Sequence, residues 1–304
     1  MMRRMGLTVL VFALLALGAG CSSTGKAPGF SGASGKIKVA ASFYPVYEFT
    51  RAVGGDRVDL INLVPAGTEP HDWEPAPGQI KALNQADLFI YNGAGFEHWA
   101  GETLASLDNQ ELVSVETARS AELISGEQEV DPHVWLDPVS AARQVAAIRD
   151  ALVTVDPAGK ATYEANAAAY VSKLNALDQE FRNGLSQCKQ KSFYTSHAAF
   201  SYLARRYAIR QHAIMGLSPD AEPTPRELAE IVETAKANQV KYIFFETLVS
   251  DKVAKVVARE TGAGTLVLNP LEGLTDEEAR AGKDYLGVMR ENLANLALAM
   301  ECGK

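Results

Sequence analysis

Residues 157–187 read PAGKATYEANAAAYVSKLNALDQEFRNGLSQ, and within them Tyr163, Ala167, Tyr170, Leu174, Leu177 and Phe181 recur every three or four positions. That spacing sets one apolar stripe along a helix. Pro157 falls in the first turn, where a helix tolerates proline, and Asp156 before it is a candidate N-cap. Run continuously, the helix is about 31 residues and about 46 Å long. An element of that length outruns one small domain, so we read it as a rigid strut between two lobes. On its amino-terminal side, short β-branched runs at 37–41, 58–64, 88–91 and 112–115 alternate with amphipathic stretches such as 47–53 and 80–83. On its carboxyl side, runs at 191–194, 209–213, 240–245 and 265–268 alternate with a helical pattern at 225–237. Regular alternation argues for parallel sheets with crossover helices. The expected fold is therefore α/β: a lobe over 36–155, a linking helix over 156–187 and a second lobe over 188–304, each a parallel sheet with flanking helices. Helical patterns at 137–155 and 276–302 complete the two lobes.

The chain has 304 residues, 47% of them apolar, with 29 Lys+Arg against 37 Asp+Glu. That composition supplies a core and excludes a disordered chain. A net charge of -8 without Lys/Arg runs argues against a nucleic-acid partner, because phosphate neutralisation needs clustered basic residues. Residues 1–20 carry Arg3 and Arg4, an apolar run from Leu7 to Leu17, then Gly18, Ala19 and Gly20 before Cys21. The run is shorter than the ~20 residues that span a bilayer, so it reads as a signal peptide. A cysteine directly after small residues is similar to a bacterial lipobox, which makes Cys21 the expected lipidation site, although Gly18 stands where a leucine is usual. Residues 21–35 continue Gly/Ser-rich, as a flexible tether. The expectation is an acidic body held on the outer face of the cell membrane by a lipid.

Three of the five histidines lie in loops after expected strands: His71 in VPAGTEPHDWEPAP, His133 in DPHVWLDP and His197 in YTSHAAF. Ligand sites of open α/β sheets are built in such loops, at the carboxyl ends of strands. Two of the three loops are bracketed by proline, which points to a shared, rigidly held site. His98 and His212 read as surface or structural residues. No His-Glu-x-x-His, Gly-x-Ser-x-Gly, P-loop or Gly-x-Gly-x-x-Gly motif proposes catalysis.

These motifs, with the stretches SPDAEPTPREL, FFETLVS and LNPLEGLT, resemble the zinc- and manganese-specific solute-binding lipoproteins of bacterial ABC importers, over essentially the whole chain from residue 36. The resemblance implies two α/β lobes on one long helix with a metal held in the cleft. It assigns His71 and His133 from the first lobe and His197 from the second as ligands, with Glu272 in the fourth position. Glu246 and Glu69 are carboxylates in neighbouring motifs that compete for that place. Three imidazoles and one carboxylate favour Zn²⁺, whereas Mn²⁺ favours more oxygen ligands. The resemblance thus implies a monomeric zinc receptor serving a membrane permease and its ATPase, and not an enzyme. A manganese receptor or a surface adhesion module are the alternatives. Asp131, Asp137 and Glu74 lie near ligands in sequence and could orient an imidazole, or could equally be caps or solvated carboxylates. Residues 122–130 contain no histidine, so no accessory metal-capturing loop is expected. Cys188 and Cys302, at the end of the strut and near the last residue, are a candidate disulfide of an exported protein.

Overall fold

The structure, a computed structural model, describes residues 29–126, 129–219 and 223–303. The signal segment and Cys21 lie outside the described residues. In the first lobe β1 (Ile37–Ala41), β2 (Val58–Asn62), β3 (Leu88–Tyr91) and β4 (Val113–Glu116) form a parallel sheet in the order β2-β1-β3-β4. Side chains alternate between its two buried faces, as strand geometry requires. Val39, Leu88 and Ile90 face a core shared with α1 (Tyr44–Gly54), while Ala40, Ile61 and Phe89 face α2 (Pro77–Leu83) and α3 (Ala100–Ser106). A short antiparallel pair, β5 (Ile124–Ser125) and β6 (Val130–Asp131), was not visible in the strand pattern and leads into the His133 loop.

The helix α4 (Pro138–Val155) starts where Asp137 Oδ1 accepts from Val139 N at 3.1 Å, with proline in the first turn. The strut is α5 (Lys160–Leu185), unbroken over 26 residues and about 39 Å long. A 3-10 turn at Pro157–Gly159 takes the place of the expected first helical turn. Asp156 is not the cap of α5: its Oδ2 accepts from Arg57 Nη2 (2.6 Å) and Tyr163 Oη (2.7 Å), fastening the start of the strut to the first lobe. The whole expected stripe, Tyr163 to Phe181, is buried. It packs against α1 and α4 on one side and against the last helix on the other.

In the second lobe β7 (Ser192–Thr195) pairs in parallel with β8 (Arg210–Ala213), and β9 (Tyr242–Phe245) with β10 (Gly264–Val267). The crossovers are α6 (Ser201–Arg206), α7 (Pro225–Ala237) and α8 (Lys252–Thr261). The helix expected over 276–302 is divided into α9 (Asp276–Arg280) and α10 (Tyr285–Ala299). Gly282 takes a φ of +70° between them, and Asp284 caps α10 by accepting from Gly287 N. Cys188 and Cys302 are joined by a disulfide that ties the end of the strut to the end of α10.

One apolar cluster runs from Phe49 and Ile90 of the first lobe through Leu174 and Phe181 of the strut to Phe244, Leu268 and Met289 of the second. The lobes therefore share a core. Residue 30 is not free tether: Phe30 packs on the first lobe, and Ser31 N and Gly32 N donate to Asp59 at 3.1 and 3.0 Å. Among the described residues no helix is long and apolar enough to cross a membrane.

Candidate metal centre

Four loops bring their side chains to one point between the lobes. His71 follows β2, His133 follows the β5–β6 pair, His197 stands two residues beyond β7, and Glu272 follows β10. All except the β5–β6 turn leave the carboxyl ends of parallel strands, where the edge of an α/β sheet opens into a crevice. One ligand atom from each residue lies within 4.8 Å of the other three. Glu272 Oε1 sits 3.2 Å from Nε2 of His71, of His133 and of His197, and the latter two nitrogens are 3.4 Å apart. The edge of a tetrahedron whose centre lies about 2.0–2.1 Å from each vertex is about 3.3–3.4 Å. The four shortest separations thus match edges of such a tetrahedron, and all six pairs lie inside 4.8 Å.

Each buried imidazole is oriented from behind. His133 Nδ1 donates to Asp131 Oδ1 at 2.9 Å, and His197 Nδ1 donates to Glu246 Oε1 and Oε2, each at 2.8 Å. Donation at Nδ1 leaves the Nε2 lone pair facing the centre. His133, His197 and Glu272 are almost completely buried, whereas His71 keeps 9% of its side chain exposed beside a cavity of about 410 Å³ that Asp72, Phe96 and His98 also line. Phe96 and Trp135 pack edge-on and tilted against the imidazoles, with centroids 4.9 Å from His71 and 5.1 Å from His133. A dry shell of this kind strengthens charge interactions inside it.

The electrostatics follow from that burial. Desolvation disfavours an imidazolium at His133, but the hydrogen bonds and charges of Asp131 and Glu272 outweigh it and raise the pKa. At His197 burial is likewise outweighed, by the charges of Glu246 and Glu272, and the pKa rises well above the usual value. Burial would raise Glu272, yet the His197 charge and the His133, His197 and His71 hydrogen bonds hold it well below the usual carboxylate range. The same contacts that lower Glu272 thus favour a proton on the facing imidazoles.

The remaining candidates are placed elsewhere. Glu246 is behind His197, and Glu69 accepts from His71 N at 3.0 Å. Of the three carboxylates near ligands in sequence, Asp131 alone reaches an imidazole of the cluster. Asp137 caps α4 and pairs with Arg206 at 2.7 Å, and exposed Glu74 stands 3.7 Å from His98 on the surface. His212 stacks on Tyr194. A cavity of about 960 Å³ lies at the opposite, amino-terminal edge of the first sheet beside Ile37, Asp87 and Val113.

Two α/β lobes on a single long helix, with loops from both converging on a buried point, define the class of two-lobed solute-binding receptors. The family described as zinc-uptake complex component A, periplasmic, matches residues 39–299, and the chain belongs to that family. It is 44% identical over 279 residues to the zinc-binding lipoprotein AdcA of Streptococcus pneumoniae, covering 87% of this chain and 56% of AdcA, so it spans little more than half the length of that relative. The solved Zn(II)-bound ZnuA-like domain of the same AdcA is matched with a TM-score of 0.79 and 45% identity, over 88% of this chain and 100% of that domain. The high-affinity zinc uptake system protein ZnuA of Bacillus subtilis is 39% identical over 303 residues, covering 95% of both chains. The laminin-binding protein Lmb of Streptococcus agalactiae, whose structure is described as bifunctional with adhesin and metal-transporting activity, gives a TM-score of 0.81 at 35% identity, over 87% of this chain and 99% of Lmb.

Proposed function

We propose that this chain is a lipid-anchored extracytoplasmic receptor that captures Zn²⁺ through His71, His133, His197 and Glu272 and delivers it to an ABC permease and its ATPase. The observation that carries the reading is the spacing of the ligand atoms, 3.2–3.4 Å for the four closest pairs, in a centre made of three imidazoles and one carboxylate. That donor set suits a four-coordinate zinc and offers too few oxygens for Mn²⁺. Four protein ligands leave no open position for an activated water, which supports transport of the ion over catalysis with it. The naming of AdcA and ZnuA as zinc proteins supports the same ion, and their lipoprotein and uptake-system names support anchoring at Cys21 and a permease partner. The protein acts as a monomer and has no nucleic-acid partner.

The test is metal content of the purified protein and competitive Zn²⁺/Mn²⁺ titration, beside His197→Ala. One tightly held zinc per chain, weakened in the variant, is expected. Preference for Mn²⁺ would overturn the metal assignment. The likeness to Lmb favours adhesion as a second reading; adhesion that survives His197→Ala alongside loss of zinc would establish it as a separate activity of the surface.

A further inference from the structure

Helix α10 supplies no ligand, yet it carries two buried polar side chains seven residues apart, and each is bonded to the loop of a different ligand. Seven residues are two helical turns, so both lie on one face. Asn292, 1% exposed, uses both ends of its amide on one residue: Oδ1 accepts from Asn269 N at 2.8 Å and Nδ2 donates to Asn269 O at 2.7 Å. Asn269 in turn accepts from Leu271 N through its own Oδ1 at 2.8 Å. This turn holds Leu271 at a φ of +59°, a left-handed conformation that non-glycine residues rarely adopt, and the next residue is Glu272. The fully buried Tyr285, at the other end of the same face, donates from Oη to the Trp135 carbonyl, two residues beyond His133. Trp135 Nε1 closes the circuit by donating to Pro270 O at 2.8 Å. The loops of His133 and Glu272 come from opposite lobes, and α10 binds both.

We propose that Asn292 is a positioning residue for Glu272, with Tyr285 acting likewise on the His133 loop, so that α10 is a splint setting the spacing of two ligands from different lobes. The inference rests on the zinc-receptor reading. An amide buried in a helix interior breaks the local pattern of that helix, and nothing in helix stability asks for it. What it satisfies is the backbone of the ligand loop.

The experiment compares wild type, Asn292→Ala, Glu272→Ala and the double variant for Zn²⁺ affinity by chelator competition, for the visible spectrum of the Co²⁺-loaded protein, and for melting of the metal-free protein. Loss of an outer support typically weakens metal binding by about 10–100-fold. Asn292→Ala is expected to weaken Zn²⁺ by at least about tenfold and to lower the Co²⁺ absorption typical of four-coordinate sites. In the Glu272→Ala background the same substitution is expected to change affinity by less than about twofold, since the ligand it positions is gone. Asn292→Asp keeps the acceptor and loses the donor, giving an intermediate loss, and stands in if the alanine variant fails to fold. Tyr285→Phe removes one hydroxyl and is expected to couple in the same way to His133→Ala. An unchanged affinity in Asn292→Ala, or an equal loss with and without Glu272, would make Asn292 a purely structural residue and overturn the inference. A wild type that holds no zinc would instead overturn the receptor reading.

Discussion

Replacing Glu246 by Gln separates two effects that the metal centre otherwise combines. Glu246 is 3% exposed, and both carboxylate oxygens lie 2.8 Å from His197 Nδ1. An amide of the same shape still accepts from Nδ1, so His197 keeps its tautomer and loses the negative charge behind it. The basicity lent to Nε2 falls with that charge, and removing such support typically weakens metal binding about 10–100-fold, or roughly 1.4–2.7 kcal/mol. The second effect acts on the proton. In the metal-free protein burial lowers the His197 pKa, and the charges of Glu246 and Glu272 together outweigh it and raise it well above the usual value. An imidazole with a raised pKa is protonated to a higher pH, so metal must displace a proton, and wild-type affinity falls as pH drops below that pKa. Each displaced proton is worth about 1.4 kcal/mol per pH unit. The Gln variant loses that competition along with the basicity. The easier deprotonation of the variant offsets part of the loss, and it does so more at pH 6 than at pH 8. Chelator-competition titrations at both values should show a larger wild-type-to-variant ratio at pH 8 than at pH 6. An equal ratio at the two pH values would refute the assignment of Glu246 as the group that both activates His197 and holds its proton.

Alanine at His71, His133, His197 or Glu272 should each cost more than the roughly 10–100-fold of an outer-shell change, with isothermal titration as the measure. Titrations of the wild type in two buffers of different ionisation enthalpy should show protons released on zinc binding near neutral pH, because His133 and His197 both carry raised pKa values; no release would contradict that. Chelating the metal should lower the unfolding midpoint, since an ion at a thousandfold excess over its dissociation constant adds about 4 kcal/mol. Replacing Cys188 and Cys302 by Ser opens a loop of 114 residues, for which chain entropy predicts a loss of about 4.8 kcal/mol within a usual range of roughly 2–5, measured by urea denaturation. Scattering from metal-free and loaded protein should give matching profiles, because wide rotation of the lobes would break Trp135–Pro270, Arg206–Asp137 and Tyr202–Asp131 contacts together.

The parts of this fold that depend on periodicity were legible in the amino-acid sequence. The stripe from Tyr163 to Phe181 is buried because one helix must lie against both lobes, and a stripe at helical spacing carries that information without context. The eight strand patterns likewise each correspond to a strand. What periodicity does not carry is local hydrogen bonding. Asp156 matches an N-cap in its neighbourhood, but Arg57, 99 residues away, and Tyr163 claim its carboxylate. The helix pattern over 276–302 continues through Gly282, where only the backbone angle marks the break. The β5–β6 pair is two residues a side, too short to show alternation. At the metal centre His71, His133 and His197 stand out as loop histidines after strands. Glu272 and Glu246 follow strands of the same pair, so the strand pattern does not separate them; the family resemblance puts Glu272 in the fourth position, and the tertiary arrangement sets it before the imidazoles and Glu246 behind. The same limit hid Asn292, whose partners lie 23 residues earlier and whose own helix gives no reason for an amide.

The charge of the buried cluster suggests why it can exist before metal arrives. Asp131, Glu246 and Glu272 bring three negative charges into a region almost without solvent. Uncompensated burial of that charge would be prohibitive. If His133 and His197 each hold a proton, the direction in which their carboxylate partners push them, the five groups sum to −3 + 2 = −1. With neutral imidazoles and a dication the sum is again −3 + 2 = −1. Two protons and one divalent ion are thus interchangeable in net charge, and they occupy the same space between Nε2 of the histidines and Oε1 of Glu272, where the separations already suit either. A monovalent ion would leave the cluster at −2, and a trivalent one would bring it to zero at the cost of a larger desolvation. On the proposed zinc-receptor reading, the carboxylates behind the histidines would therefore select for charge and the imidazoles in front for softness, with loading an exchange of protons for metal.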